Sequence, residues 1–258
     1  MTKFRFQAHR GDSAFYPENT LVSYDAAIKQ GYDIIEIDTK FTDDNVCVCL
    51  HDATLNRTAR TPEGSEIAEK TPIIKVTYEE AKKYDYGLFK GEEFKGTQMC
   101  TLAEALAFIK KSTLDVKLDN VFQKFNEEQF ELFCQVIEEA DMEDRIGLTC
   151  KTIPYMNYLA ARFPKAEIHY DGSLTPAALE ECGKLTKAGR RVTIWIPYDN
   201  ENTAWFRGRK ADEEFCRELH QYGEVGIWLI SEPEELEVAR NQFGADAIET
   251  NGTLKPTM

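Results

Sequence analysis

The 258-residue sequence lacks an excess of basic residues and has no long apolar run. It contains 31 Lys and Arg residues against 45 Asp and Glu residues, which gives a formal net charge of −14. Nucleic acids and anionic membrane surfaces bind clustered basic side chains, so we expect neither as a main partner. No run of about 18 apolar residues is present, so the sequence predicts no membrane span.

The seven cysteines are scattered and include no C-x-x-C pair. This spacing argues against a structural zinc site and against a disulfide framework. We therefore expect small, buried thiols in a reducing compartment. The first ten residues contain no apolar signal-peptide segment, and we expect a cytoplasmic protein.

Glycine-rich phosphate loops of the G-x-G-x-x-G or G-x-x-x-x-G-K-[ST] type are also missing. The sequence does contain short apolar runs that alternate with helical patterns. Eight strands are predicted, at residues 4–9, 34–41, 114–118, 145–149, 166–170, 191–196, 225–230 and 245–250. The alternation predicts an α/β fold of the TIM (β/α)8 barrel type, with a doubly wound open sheet as the alternative.

The interval between the second and third predicted strands is longer than the others. It begins with a short strand pattern at residues 46–50 and continues with polar sequence that contains glycine and proline. We interpret residues 52–100 as a small inserted subdomain within a single domain that spans residues 1–258. Because active sites of barrels lie at the C-terminal ends of the strands, this insertion would line or cover the site.

Two predicted strands carry charged residues two positions apart, which places each pair on one face of its strand. The second strand carries Glu36 and Asp38, and the third carries Asp115 and Lys117. Charge inside a barrel is costly unless it is paired or ligated. Glu36, Asp38 and Asp115 at one rim would form an oxygen-ligand site for one Mg²⁺ or Ca²⁺. Buried salt bridges that face the helices, or exposed positions at the strand ends, are the alternatives.

Histidines follow two of the strand patterns. His9 ends the first strand and precedes Arg10, and His51 follows the short pattern at residues 46–50. Histidine exchanges protons near neutral pH, Arg10 can bind phosphate oxygens with two donors, and Lys117 adds a positive charge. With a metal, this set is suited to hydrolysis of a phosphoester, in which one histidine activates the nucleophile and the other protonates the leaving oxygen.

Four ordered motifs lie near the start of the chain. They are Ala8-His9-Arg10-Gly11, Pro17-Glu18-Asn19-Thr20, Glu36-Ile37-Asp38 and His51-Asp52-Ala53-Thr54-Leu55-Asn56-Arg57-Thr58. This order resembles the glycerophosphodiester phosphodiesterase family. Weaker matches at residues 101–106, 228–233 and 244–251 extend the resemblance over nearly the whole chain.

The resemblance implies a TIM barrel with an insertion after strand two. It also implies hydrolysis of a small-molecule glycerophosphodiester to sn-glycerol 3-phosphate and an alcohol. By position, His9 and His51 would be the acid–base pair, Glu36 and Asp38 would bind Mg²⁺ or Ca²⁺, and Arg10 would bind phosphate. Related phosphodiesterases use a neighbouring substrate hydroxyl as the first nucleophile and form a cyclic phosphate.

The third strand departs from the family, whose pattern is Glu-x-Lys with the Glu on the metal and the Lys near phosphate. We align Asp115 with that Glu and Lys117 with that Lys. The other register would place Lys117 at the Glu position and Asp119 at the Lys position. We prefer the first register because the second reverses both charges and removes a ligand. We expect Trp228 to form an aromatic wall of the substrate pocket, with core packing as the alternative.

The expected function is therefore metal-dependent glycerophosphodiester hydrolysis. Two alternatives stay open. A lysophospholipid-cleaving, phospholipase D-like enzyme of the same superfamily would need an apolar groove or a membrane-binding face, against which the acidic composition argues. A non-catalytic phosphoester-binding barrel that has lost its metal is the second alternative, and the departure in strand three keeps it open.

Overall fold

Eight parallel strands close into a barrel in the computed structural model, which describes residues 3–199 and 209–256 and only the backbone of residues 120 and 121. The strands of the chain are β1 (Arg5–Ala8), β2 (Ile34–Ile37), β3 (Thr39–Phe41), β4 (Cys47–Cys49), β5 (Asp115–Leu118), β6 (Ile146–Cys150), β7 (Glu167–Tyr170), β8 (Val192–Pro197), β9 (Glu224–Trp228) and β10 (Ala247–Thr250). The order around the barrel is β1-β10-β9-β8-β7-β6-β5-β2, and β3 and β4 form a separate antiparallel pair. The predicted TIM barrel is confirmed, and the doubly wound sheet is wrong.

The described α-helices alternate with the barrel strands or belong to the insertion. They are α1 (Leu21–Gln30), α2 (Tyr78–Ala81), α3 (Leu102–Ile109), α4 (Glu127–Ala140), α5 (Ile153–Arg162), α6 (Pro176–Lys187), α7 (Glu213–Leu219) and α8 (Pro233–Glu237). The hydroxyls of Thr20, Thr77 and Thr101 accept hydrogen bonds from the first turns of α1, α2 and α3. These caps satisfy N–H groups that a helix cannot pair internally.

The chain leaves the barrel at Asp38. The single strand predicted over residues 34–41 is wrong, because β2 stays in the barrel whereas β3 pairs with β4 outside it. The backbone N–H of Leu50 donates to the carbonyl of Asp38 at 3.1 Å, so the hairpin returns to the end of β2. The hairpin and the insertion together form a second hydrophobic core, made of Val48, Leu50, Leu55, Ala59, Ile73, Val76, Ala81, Tyr86 and Met99.

Alternate residues of the barrel strands face the helices and the barrel axis, as the pleat requires. Ile35 and Ile37 of β2 and Val116 and Leu118 of β5 belong to the main hydrophobic core. Residues at the intervening positions are largely polar, so the interior of this barrel holds buried charge. Each buried charge therefore needs a partner inside the barrel.

One cluster of buried charge lies at the N-terminal end of the strands. Arg5 forms a two-pronged ion pair with Glu167, with contacts of 2.8 and 2.9 Å, and a third contact of 2.7 Å with Glu224. The hydroxyl of Thr193 accepts a further hydrogen bond from Arg5 at 2.9 Å. This cluster fills the floor of the barrel.

All seven cysteines are buried and free, as the sequence predicts. In the described parts of the chain, no helix combines the length and the apolar character that a bilayer crossing requires.

Candidate active site

His9 lies at the C-terminal end of β1, where its backbone N–H continues the ladder to Thr250 at 2.9 Å. Its Nδ1 lies 2.6 Å from the amide oxygen of Asn251. Because a carbonyl oxygen only accepts, the hydrogen of this bond lies on Nδ1. Nε2 is therefore the atom of His9 that can exchange a proton with a ligand.

His51 lies directly before the insertion, after the hairpin that returns to Asp38. Its Nδ1 lies 2.6 Å from a carboxylate oxygen of Asp52, and 43% of the side chain is exposed. Partial burial opposes ionisation of Asp52, but hydrogen bonds from Arg57 and His51 lower its pKa to about 2. The ionised carboxylate holds His51 in the same tautomer as His9, with Nε2 available for proton transfer.

A chain of ion pairs connects His51 to the first motif. Arg57 donates to Asp52 at 2.7 Å and to both oxygens of Glu18 at 2.7 and 2.8 Å. Glu18 also accepts from Arg10 at 3.0 Å. Glu18 and Arg57 belong to the ordered motifs but were not predicted as site residues. In the structure they tie the insertion to the barrel rim.

Glu36 and Asp38 lie at the same rim, as predicted. The backbone N–H of Arg10 donates to Glu36 at 2.8 Å, and the Nε of Arg10 lies 3.1 Å from Asp38. Asn19 donates to the same oxygen of Asp38 at 2.9 Å. Burial, with the nearby charges of Asp38 and Glu249, raises the pKa of Glu36 well above its ordinary value.

Asp115 lies at the opposite end of the barrel, so its assignment to the carboxylate rim is wrong. It opens β5 and pairs in register with Ile34, and Lys117 pairs with Glu36. Asp115 lines a cavity of about 600 Å³ at the N-terminal end, together with Arg5 and Arg191. The register that we rejected is therefore the one the chain adopts. A shift of two residues keeps every side chain on its face, so the alternation pattern could not distinguish the two registers.

Lys117 consequently occupies the place next to Glu36 that the sequence reasoning gave to a third carboxylate. Its ammonium lies 3.1 Å from Glu249 and 4.4 Å from the ring centre of Trp195. Burial alone would lower the pKa of Lys117, but Glu249 and Glu36 raise it above its ordinary value, so the side chain stays charged. The predicted contact of Lys117 with phosphate stays a prediction, and the neighbours of its ammonium in the structure are Glu249 and Trp195.

Glu249 is a residue that the sequence reasoning missed. One carboxylate oxygen accepts from Lys117 and from the amide of Gln7, and the other lies 4.0 Å from Nε2 of His9. A carboxylate inside the predicted strand at residues 245–250 was the available signal, because a buried charge implies a buried partner. Glu249 therefore connects the interior ammonium to His9.

The residues present do not fit the predicted three-carboxylate metal site. Two of the assigned carboxylates share the rim, and the third position holds an ammonium, which carries no lone pair and repels a cation. Within the described segments, no three His, Cys, Asp or Glu side chains are grouped so that they could hold a metal ion. The predicted Mg²⁺ or Ca²⁺ therefore stays a prediction, without a matching set of ligands.

Further polar and aromatic residues complete the rim. Asp119 and Asp171 follow β5 and β7, and neither was predicted as a site residue. Burial, with the charge of Asp119, raises the pKa of Asp171 to about 7, although Lys117 acts in the opposite direction. Trp228 ends β9 and is half-buried, so it lies at the rim where an aromatic wall was expected.

His169 lies inside the barrel. Its Nδ1 accepts a hydrogen bond from the indole N–H of Trp195 at 2.8 Å, and burial lowers its pKa to about 3. A side chain on the neighbouring Gly147 would meet the His169 ring at 2.2 Å, so the glycine makes room for it. His169 is a neutral packing residue that holds Trp195 beneath Lys117.

Comparison with known proteins agrees with the ordered motifs. The sequence model of the Glycerophosphoryl diester phosphodiesterase family matches residues 9–163. A glycerophosphodiester phosphodiesterase of Caldanaerobacter subterraneus is 34% identical over 143 residues, which is 54% of this chain and 54% of the relative. A glycerophosphodiester phosphodiesterase of Bacillus altitudinis is 31% identical over 144 residues, again 54% of each chain. The chain thus aligns with about half the length of these curated relatives.

Solved structures share the whole fold. A phosphodiesterase of Oleispira antarctica, solved in complex with the product sn-glycerol-3-phosphate, superposes with a TM-score of 0.73 at 24% identity. The superposition covers 96% of this chain and 93% of the other. The family match covers more than half of the 258 residues and includes His9, Glu36, Asp38 and His51. This chain belongs to the glycerophosphoryl diester phosphodiesterase family.

Proposed function

We propose that this chain is a phosphodiesterase that hydrolyses glycerophosphodiesters to sn-glycerol 3-phosphate and an alcohol, with His9 and His51 as the acid–base pair. The observation that carries the proposal is the matched geometry of the two histidines. Each has its Nδ1 bound by an oxygen acceptor at 2.6 Å, and each belongs to the rim where β1 and β2 end. Two imidazoles with available Nε2 atoms are what a displacement at phosphorus requires.

The proposed step moves two protons. The oxygen of a water molecule forms a bond to phosphorus and gives its proton to Nε2 of one histidine. The bond from phosphorus to the alcohol oxygen breaks, and the other histidine gives that oxygen a proton. If the neighbouring glycerol hydroxyl attacks instead, the product is a cyclic phosphate, which water opens to the glycerol phosphate in a second step with the two histidine roles exchanged. Arg10 would hold a phosphate oxygen, since a guanidinium offers several donors in a fixed geometry. Trp228 would form the wall for the glycerol or the alcohol.

Activity with defined substrates tests the proposal. The purified chain is incubated with glycerophosphocholine and glycerophosphoethanolamine in buffers that contain Mg²⁺, Ca²⁺ or a chelator, and sn-glycerol 3-phosphate is measured. Release from either substrate in any buffer supports the proposal. No release from either substrate in any buffer would contradict it.

The two alternatives are distinguished in the same assay. A lysophospholipase D-like enzyme would cleave lysophosphatidylcholine faster than glycerophosphocholine. A phosphoester-binding barrel would bind sn-glycerol 3-phosphate in calorimetry and release none from either diester. The ammonium at Lys117, in place of a carboxylate, is the observation that favours this second alternative.

A further inference from the structure

The ammonium of Lys117 is positioned beside the groups that would face a phosphodiester. Lys117 pairs in register with Glu36, whose carboxylate binds the backbone of Arg10. A single carboxylate, that of Glu249, separates the ammonium from Nε2 of His9, with contacts of 3.1 Å on one side and 4.0 Å on the other. The interior cation is therefore next to both the predicted metal ligands and the predicted acid–base residue.

The surroundings of Lys117 keep its charge and its position. Glu249 supplies the counter-charge, and Gln7 holds the same carboxylate oxygen. The indole of Trp195 lies against the ammonium, and His169 fixes that indole. Cations are stabilised over an indole face and beside a hydrogen-bonded carboxylate, so four side chains act together to hold one buried positive charge.

The difference in charge between an ammonium and a carboxylate at this position equals the charge of a divalent ion. An ammonium in place of a carboxylate changes the local charge by two units in the positive direction, which equals the charge that Mg²⁺ or Ca²⁺ would bring. The negative charge of Glu249 cancels one of these two positive units, and its carboxylate holds the ammonium in place. A cation bound to Glu36 would also meet Lys117 at the paired position, and like charges in a desolvated site repel strongly. The site therefore has its own cation and opposes a second one.

We propose that Lys117 provides the positive charge beside Glu36 and Asp38, so that this chain binds the phosphate group of its ligand without a divalent cation. The choice of ligand rests on the proposed function. Lys117 acts as a positioning residue in this account, because its charge lies beneath the rim and is transmitted through Glu249 to His9.

Calorimetry on the full chain tests this inference. The protein is dialysed against a chelator and titrated with sn-glycerol 3-phosphate, first in the chelator and then with MgCl2 or CaCl2. We expect dissociation constants that agree within about twofold in the three buffers. Lys117→Met should weaken binding by about tenfold or more, because it removes the buried positive charge and leaves the carboxylate of Glu249 uncompensated beneath the rim, and Lys117→Arg should retain most of the binding. Lys110→Met is the control, since Lys110 pairs with Asp141 on the outer surface at 3.2 Å.

A metal titration provides the second readout. Wild-type protein should show no saturable binding of Mg²⁺ or Ca²⁺. The double variant Lys117→Glu with Glu249→Gln restores a carboxylate beside Glu36 and removes the counter-charge, so it should gain saturable binding of a divalent cation. Circular dichroism confirms that each variant is folded. If Lys117→Met does not fold, the wild-type titrations and Lys117→Arg still decide.

The outcomes separate this inference from the proposed function. Saturable divalent-metal binding by the wild type, or phosphate binding that requires the metal, would overturn the inference and leave hydrolysis possible. No phosphate binding in any buffer would also overturn it. Metal-independent binding that depends on Lys117, in a protein that releases no glycerol 3-phosphate from diesters, would support the inference and contradict the proposed function.

Discussion

The buried ion pairs of Arg5 at the N-terminal end of the barrel predict how much stability the loss of this arginine would cost. Arg5 is almost fully buried and donates to both oxygens of Glu167, to Glu224 and to Thr193. Arg5→Met would leave Glu167 without its cation in a buried position. Breaking a buried ion pair by removing one partner costs about 3–5 kcal/mol, and at about 2–4 °C per kcal/mol for a chain of this size the melting temperature should fall by roughly 10 °C.

Thermal and urea unfolding followed by circular dichroism at pH 7 measure this loss. Arg217→Met is the matched control, because Arg217 pairs with Glu213 at 3.4 Å on an exposed helix surface. That substitution should change the free energy of unfolding by no more than about 0.5 kcal/mol. A loss below about 1 kcal/mol for Arg5→Met would refute the reasoning.

The mechanism of the loss can be checked separately. Adding Glu167→Gln to Arg5→Met should recover part of the stability, since the cost comes from an unpaired buried carboxylate. Burial opposes ionisation of Glu167, but His169 and Arg5 together lower its pKa to about 2. The stability that this pair contributes is therefore present at pH 7 and is lost as the pH falls from the ordinary glutamate pKa toward 2. Arg5→Met should flatten this part of the pH profile.

Three further predictions concern the interior and the rim. Gly147→Ala should destabilise the fold by about 1–3 kcal/mol in urea unfolding, because its Cβ would lie 2.2 Å from the His169 ring. Burial lowers the pKa of His169 to about 3, so the unfolded chain gains a proton on this histidine between pH 7 and pH 5 and the folded chain does not. The free energy of unfolding should therefore fall by about 2 kcal/mol as the pH is lowered from 7 to 5, and His169→Gln should remove that dependence. Arg57→Met should lower kcat and change the melting temperature little, because it removes the ion pair that holds Asp52, and Asp52 in turn orients His51. An unchanged kcat would contradict this positioning role.

The fold and most of the rim could be predicted because their signals are local. Strand and helix periods, caps and turn residues act over a few positions, and the eight-strand order follows from them. His9 was predicted at the rim because it ends a strand pattern, and Glu36 and Asp38 because they lie two positions apart on one face of a predicted strand. Parallel strands then bring these ends together without further information.

The rest depends on contacts between distant segments. Lys117 and Asp115 lie on the same face of β5, so only the pairing with β2 decides which of them meets Glu36. The charge of Glu249 inside the barrel is explained only by its ion pair with Lys117, which is 132 positions away in the chain. The link from Arg57 to Glu18 likewise spans 39 positions. The alternation of a strand predicts which face of the sheet a side chain occupies. Only the pairing of that strand with its neighbour determines which side chain it contacts.

The most direct test of the central claim is the rate of sn-glycerol 3-phosphate release from glycerophosphocholine by histidine variants. His9→Ala and His51→Ala should each lower kcat by about 10²–10⁴-fold while the melting temperature changes little. His220→Ala is the control, because His220 pairs with Asp246 at 2.8 Å, at the opposite end of the barrel. This control should retain the wild-type rate. Full activity in either rim variant would contradict the account of the site.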